Sequence, residues 1–127
     1  MKLIESETLE LKKSTSELKE AVISIAAILN KHQRGRLIFG VKNNGAVVGQ
    51  DITEKTLRDV SKSISDHIEP KIYPRIVSKK IDGKNCIDVE FQGVEVPYYA
   101  YGRAYKRDFC NEGERPCPMP QVLLFGL

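Results

Sequence analysis

The stretch Leu37-Ile38-Phe39-Gly40-Val41-Lys42-Asn43-Asn44-Gly45 decides the fold of this chain. Its first five residues form a short apolar run of the kind that suits a central β-strand. The Asn44-Gly45 pair that follows is the strongest two-residue hairpin signal, and Val47-Val48 can supply the returning strand. The sequence therefore predicts a buried strand followed by a hairpin.

Two segments with helical periodicity lie on either side of this hairpin. Ser14 starts a capping-box pattern, and the apolar residues after it recur at helical intervals to about Asn30. Alanines and isoleucines widen the apolar face of this helix, so we expect it to be buried on most sides. A second helix begins near Asp51 or Thr53 and must end before Pro70.

Four further segments have the pattern of extended chain. Alternating side chains make residues 9–12 a half-exposed strand. Residues 72–81 and 87–91 are predicted to pair through a hairpin turn at Asp82-Gly83, and residues 98–107 form one more strand. We expect an α+β fold in which two helices pack on one face of a mixed, largely antiparallel sheet.

The composition is that of one globular domain. The chain has 127 residues, 41% of them hydrophobic, and a net charge of +3, which is too small to indicate nucleic acid by itself. Residues 1–108 are expected to form the domain, and residues 109–127 an irregular Pro-rich tail that is either a truncation stub or non-native. The first residues lack the apolar core of a secretory signal, and the longest apolar run is shorter than the roughly 20 residues of a membrane span. We therefore expect a cytoplasmic protein without a membrane partner.

The cysteines do not have the spacing of a metal site. Cys110 and Cys117 are separated by six residues, and Cys86 is remote from both. This arrangement fits no usual zinc knuckle. We expect structural or incidental thiols and no bound metal.

Two windows carry positive charge without any acidic residue, namely residues 30–42 and residues 98–107. The second window also holds four of the five tyrosines. Cations attract phosphates, and Tyr rings or Arg planes can stack on unpaired bases. In a regular strand Arg103, Tyr105 and Arg107 share one face. The predicted nucleic-acid contacts are Arg34, Arg36, Lys42, Tyr101, Arg103, Tyr105, Lys106 and Arg107.

Ordinary solvated surface is the competing interpretation of both windows, and composition alone favours it. The functional interpretation gains if the fold brings the two windows to one side of the molecule.

The N-terminal acidic residues suggest a different chemistry. In a regular strand Glu5 and Glu7 lie on the face opposite Glu10. A kink or bulge at Ser6-Glu7 would be needed to bring Glu5 and Glu10 to one metal ion. Paired carboxylates can hold a divalent ion for phosphodiester hydrolysis, although they are more often ordinary surface charges.

Several ordered blocks of the sequence resemble one family. They are Glu5-Ser6-x-x-x-Glu10-Leu11-Lys12, Leu29-Asn30-Lys31-His32-x-x-Gly35, residues 37–45 with Val48-Gly49-Gln50, Ile68-Glu69-Pro70-Lys71-Ile72-Tyr73-Pro74, and Pro97-Tyr98-x-x-Tyr101-Gly102-Arg103-x-Tyr105-x-Arg107. Together they resemble the AlbA-like domain related to Schlafen proteins, over nearly the whole chain to about residue 107. The resemblance implies a bacterial DNA- or RNA-binding domain at the N-terminus of a transcriptional regulator or helicase-related ATP-binding protein, with further C-terminal domains beyond this chain.

The same resemblance bears on catalysis. In the Schlafen branch, similar domains are metal-dependent RNA nucleases that use two Glu five apart and an Asp after the Gly-Val strand. Glu5 and Glu10 match the first two, whereas Lys42, Asn43 and Asn44 occupy the third position. A lysine repels a divalent cation, and an amide is a weaker ligand than a carboxylate. The resemblance therefore disfavours an enzyme.

Three hypotheses follow. The first is a nucleic-acid-binding module of a bacterial transcriptional regulator that needs no cofactor. The second is a metal-dependent ribonuclease with Glu5 and Glu10 as catalytic residues, Asn43 as a weak third ligand and Mg²⁺ or Mn²⁺ as cofactor. The third is a dimerisation or protein-interaction domain. A homodimer is expected under the first hypothesis too, because a paired surface reaches more phosphates.

Overall fold

The computed structural model describes residues 3–107 and 117–118. Within these residues lie two α-helices and eight β-strands, and a 3-10 turn at Thr15–Glu17 precedes the first helix. The α+β class is therefore confirmed. The elements are β1 Leu9–Lys12, α1 Leu18–His32, β2 Arg34–Phe39, α2 Glu54–His67, β3 Ile68–Glu69, β4 Arg75–Ile81, β5 Lys84–Gln92, β6 Tyr99–Ala100, β7 Arg103–Lys106 and β8 Cys117–Pro118.

The first sheet has the strand order β1-β2-β5-β4. β1 pairs with β2 in parallel, and the other neighbours are antiparallel, so the predicted mixed sheet is present. The hairpin between β4 and β5 turns at Asp82 and Gly83, whose φ angles of 51° and 77° are both left-handed. This is the conformation that a two-residue hairpin turn requires.

The first helix lies between two sheets. One side of α1 packs with α2 on the inner face of the first sheet, against Leu37, Phe39 and Val89. The other side packs on β6 and β7. A Cβ at Gly35 would lie 2.6 Å from Cγ2 of Ile28, so glycine lets the helix lie directly on β2. Most residues of 21–29 are buried, as the wide apolar face predicted.

The second sheet, of order β3-β6-β7-β8, was not predicted. Residues 98–107 form a hairpin instead of the single expected strand, and Tyr101 and Gly102 make its turn with φ angles of 53° and 76°. The side chain of Asn30 ties this hairpin to α1, because its Nδ2 donates to the carbonyls of Tyr98 and Tyr105 at 2.9 and 2.7 Å.

Two other expectations need correction. The predicted return strand at Val47-Val48 is reduced to one bridge between Val41 and Val47, because Val48 N–H and Gly49 N–H both donate to the carbonyl of Gly40. The segment predicted to be an irregular tail contains β8, whose two residues pair with β7. The rest of that segment lies outside the described residues, as does Cys110, whereas Cys86 is a buried free thiol.

Candidate nucleic-acid interface

The N-terminal acidic residues lie on a turn that runs back alongside β1. The Ser6 N–H donates to the Leu9 carbonyl at 3.0 Å, and the Leu9 N–H donates to the Ser6 carbonyl at 3.4 Å. This turn lets a carboxylate oxygen of Glu5 accept a backbone N–H of β1 at 3.0 Å. The chain therefore has a kink at Ser6-Glu7, which a regular strand would lack and which the convergence of Glu5 and Glu10 requires. We call residues 5–10 the acidic turn.

The guanidinium of Arg107 fills the acidic turn. Its Nη1 donates to Oε1 of Glu10, and its Nη2 donates to the carbonyls of Ser6 and Leu9 at 2.9 and 3.4 Å. The two side chains of this ion pair are only 9% and 8% exposed. Arg107 therefore shares no open face with Arg103, and its predicted phosphate contact is corrected to a buried ion pair.

The two carboxyls of the acidic turn have opposite pKa shifts. Burial raises the pKa of Glu5 above its ordinary value of 4.5, and repulsion from Glu10 adds to the rise. Burial also opposes the ionisation of Glu10, but the charges of Lys12 and Arg107 outweigh it and hold the Glu10 pKa below 4.5. Nζ of Lys12 lies 3.0 Å from Oε2 of Glu10. Glu10 is therefore a carboxylate with a cation at each oxygen.

These residues do not fit a divalent metal ion. Both oxygens of Glu10 already face cations, and the described part of the chain contains no group of three His, Cys, Asp or Glu side chains that could hold a metal. Lys42 and Asn43 line a separate surface pocket of about 400 Å³ together with Lys13 and Glu17. We therefore derive no catalytic step through a metal at the acidic turn.

The first basic window reaches the outer face of the first sheet through β2. Leu37 points into the core, and side chains alternate along a strand, so Arg34 and Arg36 point outward. Arg36 lies opposite Glu90 of β5, and Glu90 lies opposite Arg75 of β4. Cations from two strands thus meet on one open face.

A surface pocket of about 510 Å³ runs across this face. Its lining is mostly polar and includes one acidic residue, Glu90. Tyr73 stands at the pocket with 93% of its surface exposed. The lining residues are Thr8, Arg34, Gly35, Arg36, Tyr73, Arg75, Glu90, Phe91 and Gln92. We call the set Arg34, Arg36, Tyr73 and Arg75 the arginine groove.

The arginines of the groove are not equivalent. Arg36 donates two hydrogen bonds to Asp88, at 2.8 and 2.9 Å, and this carboxylate raises the pKa of Arg36. Asp88 is buried, so the pair is held at the base of the sheet face. Arg34 and Arg75 are both exposed. Their charges are therefore the ones that the groove presents to solvent.

The second basic window lies in the second sheet, across α1 from the arginine groove. Tyr101 stacks on His67 with ring centroids 4.3 Å apart, and Tyr105 packs partly against the core. Arg103 is exposed, and Lys106 is half-buried. The two windows therefore meet only where Asn30 and Lys31 bond to the backbone of the hairpin, within the described residues. Arg34 and Arg36 lie on the first sheet and Arg103 on the second.

Tyr73 and Arg75 are not among the contacts predicted from the sequence. Pro74 between them is typical of an edge or irregular segment, and a single arginine there does not stand out. β4 is an edge strand, and its register with β5 sets Arg75 beside the first window. A register of this kind depends on contacts across the sheet, which the local sequence does not specify.

The fold and its cationic sheet face define an α+β domain of a recognisable class. The sequence model of the family described as Schlafen, AlbA_2 matches residues 5–113. The chain belongs to this family, as the ordered sequence blocks indicated. No curated protein matches the chain at a significant level.

Two solved structures share the fold. The crystal structure of the DIP2311 protein from Corynebacterium diphtheriae has a TM-score of 0.70 and 15% identity over 92% of this chain. The solution NMR structure of the N-terminal domain of a RecG-related protein from Nitrosomonas europaea has a TM-score of 0.60 and 20% identity over 77% of this chain. The matches cover 23% of the first protein and 72% of the second, and at these identities they show the fold alone.

Neither helix within the described residues has the length and apolar character needed to cross a membrane.

Proposed function

We propose that this domain binds nucleic acid through the arginine groove. The observation that carries the proposal is the groove itself, in which exposed Arg34 and Arg75 line the same pocket as an exposed Tyr73. Guanidinium groups attract phosphates and match their oxygens with paired hydrogen bonds. The name of the Nitrosomonas neighbour relates it to an ATP-dependent DNA helicase, which supports nucleic acid as the ligand class.

The domain would act as the nucleic-acid-holding part of a longer bacterial protein, a transcriptional regulator or a helicase-related protein. The two structural neighbours support this role, since one is an N-terminal domain and the other extends far beyond the matched region. Domains outside this chain would then supply any regulatory or ATP-dependent step.

The test is fluorescence anisotropy with a labelled DNA duplex and a labelled RNA hairpin over rising salt. We expect log affinity to fall linearly with log salt, because bound phosphates release counterions. The variant Arg34→Gln/Arg75→Gln removes two phosphate contacts, so its salt slope should be shallower by about two units. The probe with the tighter binding identifies the ligand as DNA or RNA.

Two control variants locate the surface. Lys55→Gln/Lys62→Gln on exposed positions of α2 removes the same charge far from the groove, and it should bind like the unchanged protein. Arg103→Gln/Lys106→Gln removes the same charge from the second window. Equal weakening in all three variants would show an effect of net charge and overturn the groove as the site. Absence of binding at low salt would leave the protein-interaction domain as the better hypothesis.

The same assay decides the nuclease alternative. The turn that brings Glu5 back beside β1 is the observation that favours it, whereas the two cations on Glu10 oppose a metal ion there. With Mn²⁺ present, a probe signal that decays with the unchanged protein but stays constant with Glu5→Gln would establish cleavage at the acidic turn. This variant keeps the Glu10–Arg107 ion pair. Decay that survives this substitution would assign cleavage to another source.

A homodimer would place two arginine grooves on one ligand and raise the number of phosphates reached. Light scattering on the purified chain over a tenfold concentration range measures this directly. A mass of one chain at every concentration would remove the homodimer from the proposal and leave the groove to act singly.

A further inference from the structure

The backbone on either side of Tyr73 is anchored although the Tyr73 side chain is exposed. The preceding residue, Ile72, is buried in the main core, and the following residue, Pro74, restricts the backbone before β4 begins. The Tyr73 side chain is 93% exposed, the highest value among the exposed large apolar side chains of the described residues. An aromatic ring is therefore presented to solvent from an anchored loop.

The side chains around this ring are of the kinds that bind the parts of a nucleotide. Arg34 and Arg75 supply guanidinium groups for phosphates, and Thr8 and Gln92 supply polar side chains that can bond a base edge or a sugar hydroxyl. The pocket of about 510 Å³ is within the range of roughly 300–1,000 Å³ typical of sites for small molecules. Cations beside an aromatic ring are the arrangement that proteins use for unpaired strands.

We propose that Tyr73 stacks on an unpaired base, so that the ligand of the arginine groove is single-stranded DNA or RNA or an unpaired nucleotide within a folded RNA. This inference rests on the proposed function and adds the class of ligand to it. A paired base has both faces covered by its neighbours in the duplex, whereas an unpaired base offers a free face to the ring. Arg34 and Arg75, which line the same pocket, then bind the phosphates next to the stacked base.

The experiment compares a single-stranded 12-nucleotide thymidine oligomer, the matching uridine oligomer and a duplex of the same length. Tyr73→Ala should weaken binding of the single strands about tenfold, within the range measured for base–aromatic stacking. Its salt slope should not change, because no charge is removed. Its binding of duplex should not change either, since no base face is available there. Tyr73→Phe keeps the stacking ring and should bind like the unchanged protein.

Tyrosine fluorescence gives a second readout. The chain has five tyrosines and no tryptophan, so stacking of one ring is visible as quenching. Tyr73→Phe should keep the affinity for single strands and lose this part of the quenching. Val94→Ala, at an exposed apolar position outside the pocket lining, is the matched control and should alter neither signal.

The outcomes separate this inference from the function on which it rests. If Tyr73→Ala binds single strands as tightly as the unchanged protein, while Arg34→Gln/Arg75→Gln still flattens the salt slope, the stacking inference is overturned and the binding function stands. Tighter binding of duplex than of single strands would overturn it in the same way. If the unchanged protein binds no probe at low salt, both proposals fail together.

Discussion

Arg107 and Arg34 show how differently two arginines of this small domain are used. Arg107 lies inside the acidic turn, where its guanidinium meets Glu10 and two backbone carbonyls and has almost no contact with water. Arg34 lies at the open end of β2 and lines the arginine groove. Both were predicted from sequence as phosphate contacts, but only the second has a charge available to a ligand.

The two arginines differ in how many protein oxygen atoms accept hydrogen bonds from them. A buried guanidinium must have its donors satisfied within the protein, since an unpaired buried charge is very costly. The acidic turn provides these acceptors, and a second carboxylate of the turn, Glu7, lies 2.9 Å from Nζ of Lys31. Glu7 and Glu10 are therefore already paired with cations of the domain, whereas the arginine groove is open. We infer that the acidic turn stabilises the domain and the arginine groove serves its ligand.

The largest loss of stability is expected where the buried Arg107–Glu10 ion pair is broken. Arg107→Met leaves Glu10 buried beside Lys12 alone, and breaking a buried pair in this way costs about 3 kcal/mol or more. In a domain of this size the melting temperature should fall by more than about 10 °C. Thermal unfolding followed by circular dichroism measures the change.

Arg103→Met is the matched control, because it removes the same charge from an exposed position at the start of β7, the strand that ends just before Arg107. Its stability should stay within about 0.5 kcal/mol of the unchanged protein. Equal melting temperatures for the two variants would contradict the distinction between buried and exposed arginines. If Arg107→Met does not fold, the double variant Glu10→Gln/Arg107→Met should recover part of the stability, since the buried carboxylate charge is removed together with its arginine partner.

The fold class was predictable because long periodic segments and a strong turn signal specify it locally. α1, α2 and the Asp82-Gly83 hairpin all lie where the sequence places them. The second sheet was not predictable, because β3, β6 and β8 have two residues each and show no alternation. β6 and β7 pack on α1, and β3 and β8 pair with them, so these strands depend on contacts between distant parts of the chain.

The candidate site was predictable only in part for a related reason. Charge windows in the sequence identified Arg34 and Arg36, but a window does not show whether a charge is already paired. The partner of Arg107 is Glu10, which is 97 residues away in the sequence. No local sequence pattern predicts a contact over that separation. Tyr73 lies in a sequence block that resembles the family but gives the residue no role, and its exposure depends on the folded chain.

A smaller effect is expected at Arg36, which has features of both regions. Its guanidinium lines the groove and also pairs with buried Asp88. Arg36→Gln leaves Asp88 with Lys79 at 4.0 Å, so we expect a loss of about 1–2 kcal/mol together with weaker binding of nucleic acid. Urea unfolding and anisotropy on the same sample measure the two effects.

Arg34→Gln is the comparison for this variant, since it lies in the same groove and is exposed. It should weaken binding without a measurable loss of stability. If Arg36→Gln weakens binding but leaves the urea midpoint unchanged, the ion pair with Asp88 contributes no stability. Arg36 then acts like the exposed arginines of the groove.

The smallest change in stability is expected at Glu5, because burial in the acidic turn disfavours the ionised form of this carboxyl. The pKa of Glu5 is raised above 4.5, so the folded state binds its proton more tightly than the unfolded state does. The contribution of Glu5 to stability is therefore greatest below pH 4.5 and is lost as pH rises through the folded pKa. Glu5→Gln keeps an oxygen for the N–H of Leu11 and removes this loss, so at pH 7 it should be more stable by about 0.5 kcal/mol or less.

Melting temperatures of Glu5→Gln and the unchanged protein between pH 4 and pH 7 test this sign. The two should coincide near pH 4 and separate as pH rises, with Glu5→Gln the more stable. Glu10→Gln must behave in the opposite way, because its depressed pKa makes the ionised carboxylate stabilising above pH 4.5 and that contribution is lost as pH falls. A Glu5→Gln variant that is less stable at pH 7 would mean that the Glu5 carboxylate, like that of Glu10, is held by the cations of the acidic turn.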